Sequence, residues 1–502
     1  MKHFTTRRTA AGLLALLAVG STLLSCSDGG EGSEQMTPVT TSAAETVETE
    51  TAALYRENVP AADFGGETFR VIGCDPESFS CILGFDFDED SADSVESAIY
   101  RRNRAIEERY NVTFEHEYRS DWAEMADIMR NAAISGDDSY HLIMMINREA
   151  FKAAISGYVM PYENIPHIDT TQPWYMQKVN EMLTVGDTTI VAYTDECTNA
   201  YLQTVCVFYN KQILQDNDLA NPYELVREGK WTQDAFYEMA MTSVRDINGD
   251  SKYDMNDTYG VITEGDMLYP AMWVGAGINT VEKDENDIPV YTAPGNERLI
   301  SAIDKLVDHI DRDGFMLDSF TAKLGDGEQA RINGTKYFAE GKSLFRVGVV
   351  AYVRELRDMN ADFGILPTPK YDETQEGYYG RMIDGWIHLP PSSVQNLELL
   401  GTMMEALGAE SKNYVIPAFF DVALTQKLTR DGDSEEMLDI IFDNITLDLG
   451  DTVWYEDIRG QLQGPIADGK RDMASRLTKI EKRINKTIEK ALEAFNNREI
   501  GS

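Results

Sequence analysis

Apolar positions along the chain switch between a strand period and a helix period. Thr68-Phe69-Arg70-Val71-Ile72 reads as a strand, and Val95 to Tyr110 puts Val95, Ile99, Ile106 and Tyr110 on one helical face. Val112-Thr113-Phe114 then predicts a strand, Trp122 to Ile134 a helix, and the apolar run His141-Leu142-Ile143-Met144-Met145 a buried strand. This β-α-β-α-β opening points to a mostly parallel α/β sheet. Downstream, Thr232 is placed to cap a helix carrying Ala235, Phe236, Met239 and Ala240, and Trp231 precedes that cap as a structural staple. Further strands are expected at Ser343 to Val347 and Phe363 to Pro367. Leu477, Ile480, Ile484, Ile488, Leu492 and Phe495 predict a long C-terminal helix docked by its apolar stripe.

Before this pattern begins, the chain has a different character. Lys2, Arg7 and Arg8 precede an apolar run from Leu13 to Leu24, about a dozen residues, whereas a bilayer span needs roughly 20. Residues 1–26 are therefore expected to be an export signal, and Leu23-Leu24-Ser25-Cys26 resembles the lipobox of bacterial lipoproteins, which would make Cys26 a lipid anchor. Residues 27–62 are rich in Gly, Ser, Thr, Ala and Glu and are expected to form a disordered tether. The expected location is the cell surface, lipid-anchored to the outer face of a bacterial membrane.

Length and charge narrow the partners. With 502 residues the chain needs two or more domains, or two lobes sharing an interior. Its 85 acidic against 45 basic residues leave a net charge of −40, which repels phosphate backbones and excludes nucleic acid as an expected partner.

Several segments of the folded part resemble bacterial extracellular solute-binding proteins of family 1, the maltose-binding-like receptors of ABC importers. The resemblance rests on Val207-Phe208-Tyr209-Asn210-Lys211, Trp231 to Phe236, Ala339-Glu340-Gly341-Lys342-Ser343-Leu344, Phe363 to Lys370, and Glu435 to Ile441, in that order. It implies an α/β, two-lobed periplasmic-binding-protein-like (type II) fold with a hinge and an interlobe cleft. Segments 63–195 plus 340–388 would form lobe one and 196–335 plus 396–500 lobe two, with crossovers near 193–201, 331–340 and 388–396. It also implies a monomer that captures a small polar solute, expected to be a sugar or oligosaccharide, and delivers it to an ABC transporter permease. The other readings are a lipoprotein presenting ligand to a membrane sensor, and a surface polysaccharide hydrolase.

A sugar cleft should combine aromatic faces with polar hydrogen-bonding groups. Near the implied crossovers the residues of that kind are Trp174 and Tyr175, Asp195 and Tyr201, Trp273, and Arg381, Asp384 and Trp386. Separately, Asp246, Asn248, Asp250, Asp254 and Asp257 fall at positions 1, 3, 5, 9 and 12 of a calcium-type loop, and Lys252 at position 7 can offer its carbonyl. Ser251 occupies the position that prefers Gly, and Asp257 is shorter than the usual Glu. Structural calcium is thus the one expected cofactor.

Catalytic motifs are missing: the six histidines have no HxxxH or HxH spacing, and Gly341-Lys342-Ser343 is preceded by Lys336 where a phosphate loop needs Gly. No enzyme is expected. Cys74 with Cys81, and Cys197 with Cys206, are compatible either with two short-loop disulfides or with buried thiols.

Overall fold

A computed structural model describes residues 55–499 except 77–82, 187, 190, 357–358 and 422–431. Cys26, the lipobox and Cys81 lie outside the described residues. Two sheets carry the strands β1 (Glu67–Cys74), β2 (Val112–Arg119), β3 (Leu142–Ile146), β4 (Val205–Asn210), β5 (Tyr259–Thr263), β6 (Met316–Asp318), β7 (Ser343–Val349), β8 (Phe363–Leu366) and β9 (Trp386–Leu389). The first sheet has the order β9-β3-β1-β2 and the second β6-β5-β7-β4-β8. β1 runs parallel to β2 and β3, and β9 is antiparallel to β3, with Trp386 opposite Ile146. In the second sheet β5 is parallel to β6 and β7, while β4 is antiparallel to β7 and β8. The chain is thus a mixed α/β protein with two lobes.

The helices that frame these sheets and their strand ends include α1 (Ser94–Tyr110), α2 (Glu124–Ser135), α3 (Asn147–Ile155), α4 (Gln233–Ser243), α5 (Gly265–Gly275), α6 (Glu328–Ala339), α7 (Leu397–Glu410), α8 (Gly432–Asp443) and α9 (Met473–Glu499). Their ends follow local chemistry. Asp93 caps α1 by accepting from the Val95 amide at 2.9 Å, and Asn111 ends it in the left-handed region at φ 50°. Thr232 caps α4 through the Ala235 amide, and the Trp231 indole donates to the Pro367 carbonyl at 2.8 Å. Every residue of β3, β4 and β7 is buried, as strands covered by helices on both faces must be.

Four expectations about chain organisation are corrected. β7 and β8 pair with β4, so 343–366 belongs to the second lobe and not to lobe one. A fully apolar run announces a buried strand but not which sheet it enters. Consequently α6, which feeds β7, is no crossover. The chain crosses after residue 193 into β4, and again between β8 and β9. After β9, α7 lies on the first lobe, where its Leu399, Leu400, Met403 and Leu407 pack on Phe69 and Val71 of β1, whereas α8 returns to β8 of the second, the Ile365 amide donating to Ser434 at 3.3 Å. The tether also ends earlier than residue 62. Tyr55 exchanges hydrogen bonds with Asn413 at 3.0 and 2.9 Å, Glu57 receives Arg109 at 2.5 Å, and Val59 and Ala62 join the core.

The contact of α7 with the loop beneath it is close enough to test. A Cβ on Gly401 would run into the Pro166 carbonyl oxygen, well inside van der Waals contact. Alanine's helix preference is worth about 1 kcal/mol, but overpacking against an immovable backbone costs about 1–3 kcal/mol. Gly401→Ala is therefore expected to lower stability by up to about 2 kcal/mol in urea unfolding; a higher midpoint would contradict this packing.

Candidate functional site

Ligands of open α/β sheets bind beyond the carboxyl ends of the strands, and here those ends carry charge. β3 ends at Ile146 and leads into Asn147 and Arg148 of α3. β9 begins opposite the same point, just after Asp384, whose φ is +46°. In the second lobe β5 ends at Thr263 and is followed by Glu264, Gly265 and Asp266, and the Gly265 amide donates to Asp318 at the end of β6 at 2.9 Å.

These positions belong to one network. Arg148 pairs with Asp384, and its guanidinium carbon lies 5.1 Å from the ring centres of both Trp122 and Tyr455. Arg459 lies 5.1 Å from the same tyrosine ring and reaches Asp451 at 3.1 Å. Asp451 also receives Arg381 Nε at 2.5 Å, and Arg381 Nη1 donates to the Asp266 carbonyl at 3.0 Å. The Asp266 carboxylate receives Arg331 Nη2 at 2.6 Å. Behind it, Arg346 grips both oxygens of buried Glu264 at 3.0 and 3.2 Å.

Burial works against the charge of Asp266 and Asp451, but neighbouring arginines outweigh it. Arg331, Arg459 and Arg381 hold Asp266 below the ordinary carboxylate range, and Arg381 and Arg459 do the same for Asp451. The network is not saturated: Arg148 Nε, Arg381 Nη2, Arg331 Nη1 and Asp266 Oδ1 are buried without a hydrogen-bond partner. Buried polar atoms are nearly always satisfied, and this group is therefore the candidate site.

Of the ligand residues expected from sequence, the structure brings Arg381 and Asp384 into this network and leaves the others in packing. Trp174 is buried against Gly408 of α7, and Tyr175 donates to Glu405 at 2.6 Å. Asp195 pairs with Lys412 at 2.9 Å, and Tyr201 sits among Phe419, Phe420 and Phe442. Trp273 is interior to α5, and Trp386 is buried in β9. Arg148, Asp266, Arg331, Asp451, Tyr455 and Arg459 were not anticipated. Their signal was present at two of these places, where an apolar strand ends in Asn147-Arg148 and in Glu264-Gly265-Asp266.

Two further clusters are defined. In the loop 246–257, Asp246 accepts from the Gly249 and Ser251 amides at 2.7 and 2.8 Å, and Asp257 from Ile247 and Asp254, both at 2.8 Å. Those amides, from Asp254 and Ile247, hold the Asp257 carboxyl below its usual range. Elsewhere, Glu196, Cys197 and His388 place ligand-type atoms within 4.8 Å of one another. Glu196 already binds His388 Nδ1 at 3.0 Å, the Cys197 thiol donates to the Trp386 carbonyl at 2.8 Å, and buried Arg102 faces the same carboxylate. Cys74, Cys197 and Cys206 are free and buried, so the Cys197–Cys206 bridge is not formed.

No protein-family profile matches the chain, and no curated protein matches it by sequence. Solved structures do match the fold. The maltose/maltodextrin-binding domain MalE from Bdellovibrio bacteriovorus, bound to maltotriose, superposes with a TM-score of 0.52 at 13% identity, over 84% of this chain and 100% of that one. The substrate-binding protein Lmo0181 from Listeria monocytogenes, in complex with cycloalternan, gives 0.54 at 11%, over 84% and 99%. UgpB from Mycobacterium tuberculosis, in complex with glycerophosphocholine, gives 0.52 at 14%, over 86% and 98%. The two-lobed fold of the MalE type is therefore shared. No helix among the described residues is long and apolar enough to cross a membrane.

Glu405, which lies under Tyr175, gives the packing around that residue a pH signature. Burial raises its carboxyl to about 7, against the opposing hydrogen bond from Tyr175. Between about pH 4.3, the unfolded value, and about 7, the native state keeps a proton that the unfolded chain has lost, so stability falls as pH rises through that window. Glu405→Gln removes the titration. It is expected to be more stable than the parent at pH 8, by on the order of 3 kcal/mol, and similar at pH 4. Equal slopes of stability against pH in the two proteins would contradict this.

Proposed function

We propose that this chain is a solute-binding protein that captures a carbohydrate between its lobes and delivers it to an ABC importer, held at the outer face of a bacterial membrane by a lipid on Cys26. The observation that carries the reading is the unsaturated network itself. It draws Arg148 and Asp384 from the first lobe's strand edge and Asp266, Arg331 and Arg381 from the second's, with Trp122 and Tyr455 beside them. Aromatic faces with convergent donors and acceptors suit a saccharide, whose rings present CH faces and hydroxyls. A ligand touching both lobes favours their closed arrangement, which gives a permease a shape to recognise. We read the site as binding rather than catalytic, since Asp266 and Asp451 are held ionised by arginines and are poorly suited to general-acid work. The test is thermal unfolding of the full-length chain against mono- and oligosaccharides, with the sugars analysed afterwards. A specific rise, about 2.7 kcal/mol of stabilisation at 100 times Kd, with the sugar recovered intact is expected. No rise with any saccharide would overturn the carbohydrate reading, and cleaved sugar would overturn the non-catalytic one.

We also propose that the loop 246–257 takes calcium as a structural ion, with Asp246, Asn248, Asp250, Asp254, Asp257 and the Lys252 carbonyl as ligands. Its backbone supports this: Ser251, sixth in the loop, holds φ +61°, the left-handed conformation for which calcium loops use glycine. Calcium is expected to raise the melting temperature over chelator, magnesium to substitute poorly, and Asp250→Ala to lose the calcium-dependent rise. An identical melting temperature with calcium and with chelator would refute the site.

A further inference from the structure

We infer that the captured solute is an anionic saccharide, a sugar bearing a carboxylate or a sulfate, with its charged group seated among Arg148, Arg331 and Arg381. The inference rests on the carbohydrate reading above and adds the charge class of the ligand.

The buried atoms left without partners in the network are unequal in kind. Three are guanidinium donors, Arg148 Nε, Arg331 Nη1 and Arg381 Nη2, against one carboxylate acceptor, Asp266 Oδ1. Arg381 has no solvent exposure at all, and the Arg148 and Arg331 side chains are exposed by only 15% and 14%. Arg331 Nη1 forms an ion pair with Glu264 Oε2 at 3.5 Å, a distance too long for a good hydrogen bond. An unanswered donor on a charged group is more costly than one on a neutral group, and the strongest answer is an anionic oxygen.

The charge count agrees. Arg148, Arg331, Arg381 and Arg459 face Asp266, Asp384 and Asp451, while Glu264 is neutralised by Arg346. Further carboxyls border the cluster: Glu328, 3.9 Å from Arg331 Nε and raised in pKa by burial, and Glu456, which accepts from Tyr455 at 2.9 Å and pairs with Lys152. In a chain of net charge −40, four arginines directly paired with three aspartates are a local exception. A neutral sugar would fill the space but leave charged donors facing hydroxyls, which are weaker acceptors.

The test is isothermal titration of the full-length chain with three disaccharides of one linkage: a uronate, its carboxyl-reduced neutral form, and a sulfated form, each at low and high salt. Either anionic form is expected to bind about tenfold or more tighter than the neutral one, with an advantage that shrinks in high salt. Arg148→Gln, altered at the most exposed of the three arginines, is expected to lose much of that advantage, read as the ratio of anionic to neutral affinity. Tighter binding of the uronate than of the sulfate, or the reverse, names the group and supports the inference. If the neutral form binds as well as both anions, the inference fails and the carbohydrate reading survives. If none of the three binds, and neither does any other saccharide, both fall.

Discussion

A guanidinium group out of reach of water has to be answered by fixed partners, and Arg381 is such a group. Its answer is Asp451, which also holds Arg459, so a single carboxylate ties the segment entering β9 to the helical region near the C-terminus. Desolvating two cations and an anion costs several kcal/mol per ion, and mutual attraction offsets this only with close geometry. Such a cluster is weak as a source of stability compared with an apolar core. Its consequence is positional, because breaking it would leave buried charge, so the surrounding elements are held in one arrangement. That arrangement carries Asp266, Arg331 and Tyr455 to the edge of the second sheet, facing Arg148 and Asp384.

The two sheets supply the rigid bodies on which these groups are mounted. β3 and β7 are buried along their whole length, and their ends do not shift without moving covered apolar residues. The segments between the sheets are thinner, and Cys197, Tyr193 and Asn180 fasten one of them through bonds to Trp386, Gly385 and Tyr193 carbonyls. Packed lobes joined by short segments favour hinge motion over deformation. A solute can bias such a motion only by its differential contacts with the two arrangements. On the proposed function, the unpartnered atoms of Arg148, Arg331, Arg381 and Asp266 would provide contacts of that kind.

The fold was legible because its signal is redundant. The β-α-β-α-β opening, the Thr232 cap and the C-terminal stripe each follow from periodicity and local hydrogen bonding. The assignment of 343–366 to a lobe was not legible, since pairing partners of an all-apolar strand lie far away in sequence. Of the residues expected at the cleft, Arg381 and Asp384, which flank a turn beside a predicted crossing, join the arginine–aspartate network. Trp174, Tyr201 and Trp273 misled because an aromatic residue carries no mark of whether its ring faces the core or a cleft. Trp174 meets Gly408 and Tyr201 meets three phenylalanines, contacts that no local pattern encodes. Tyr455 and Arg459 depended on the C-terminal region folding back onto Arg148 of α3, which is likewise non-local.

The net charge of −40 sets an opposing demand on an anionic ligand, and the two effects differ in range. Charges on the surface act through water and salt, where the field falls off over about 8 Å at physiological ionic strength. They slow the approach of an anion and leave its bound energy little changed, because steering acts on association more than on affinity. Inside the cleft the arginines act at hydrogen-bond distance, with Arg381 wholly shielded from water and a far smaller effective dielectric constant around it. Contact interactions therefore decide what stays bound, while the surface decides how fast it arrives. An acidic exterior around the proposed arginine site would then give selective retention: weakly held anions would be turned away, and one that reached Arg148, Arg331 and Arg381 would be kept.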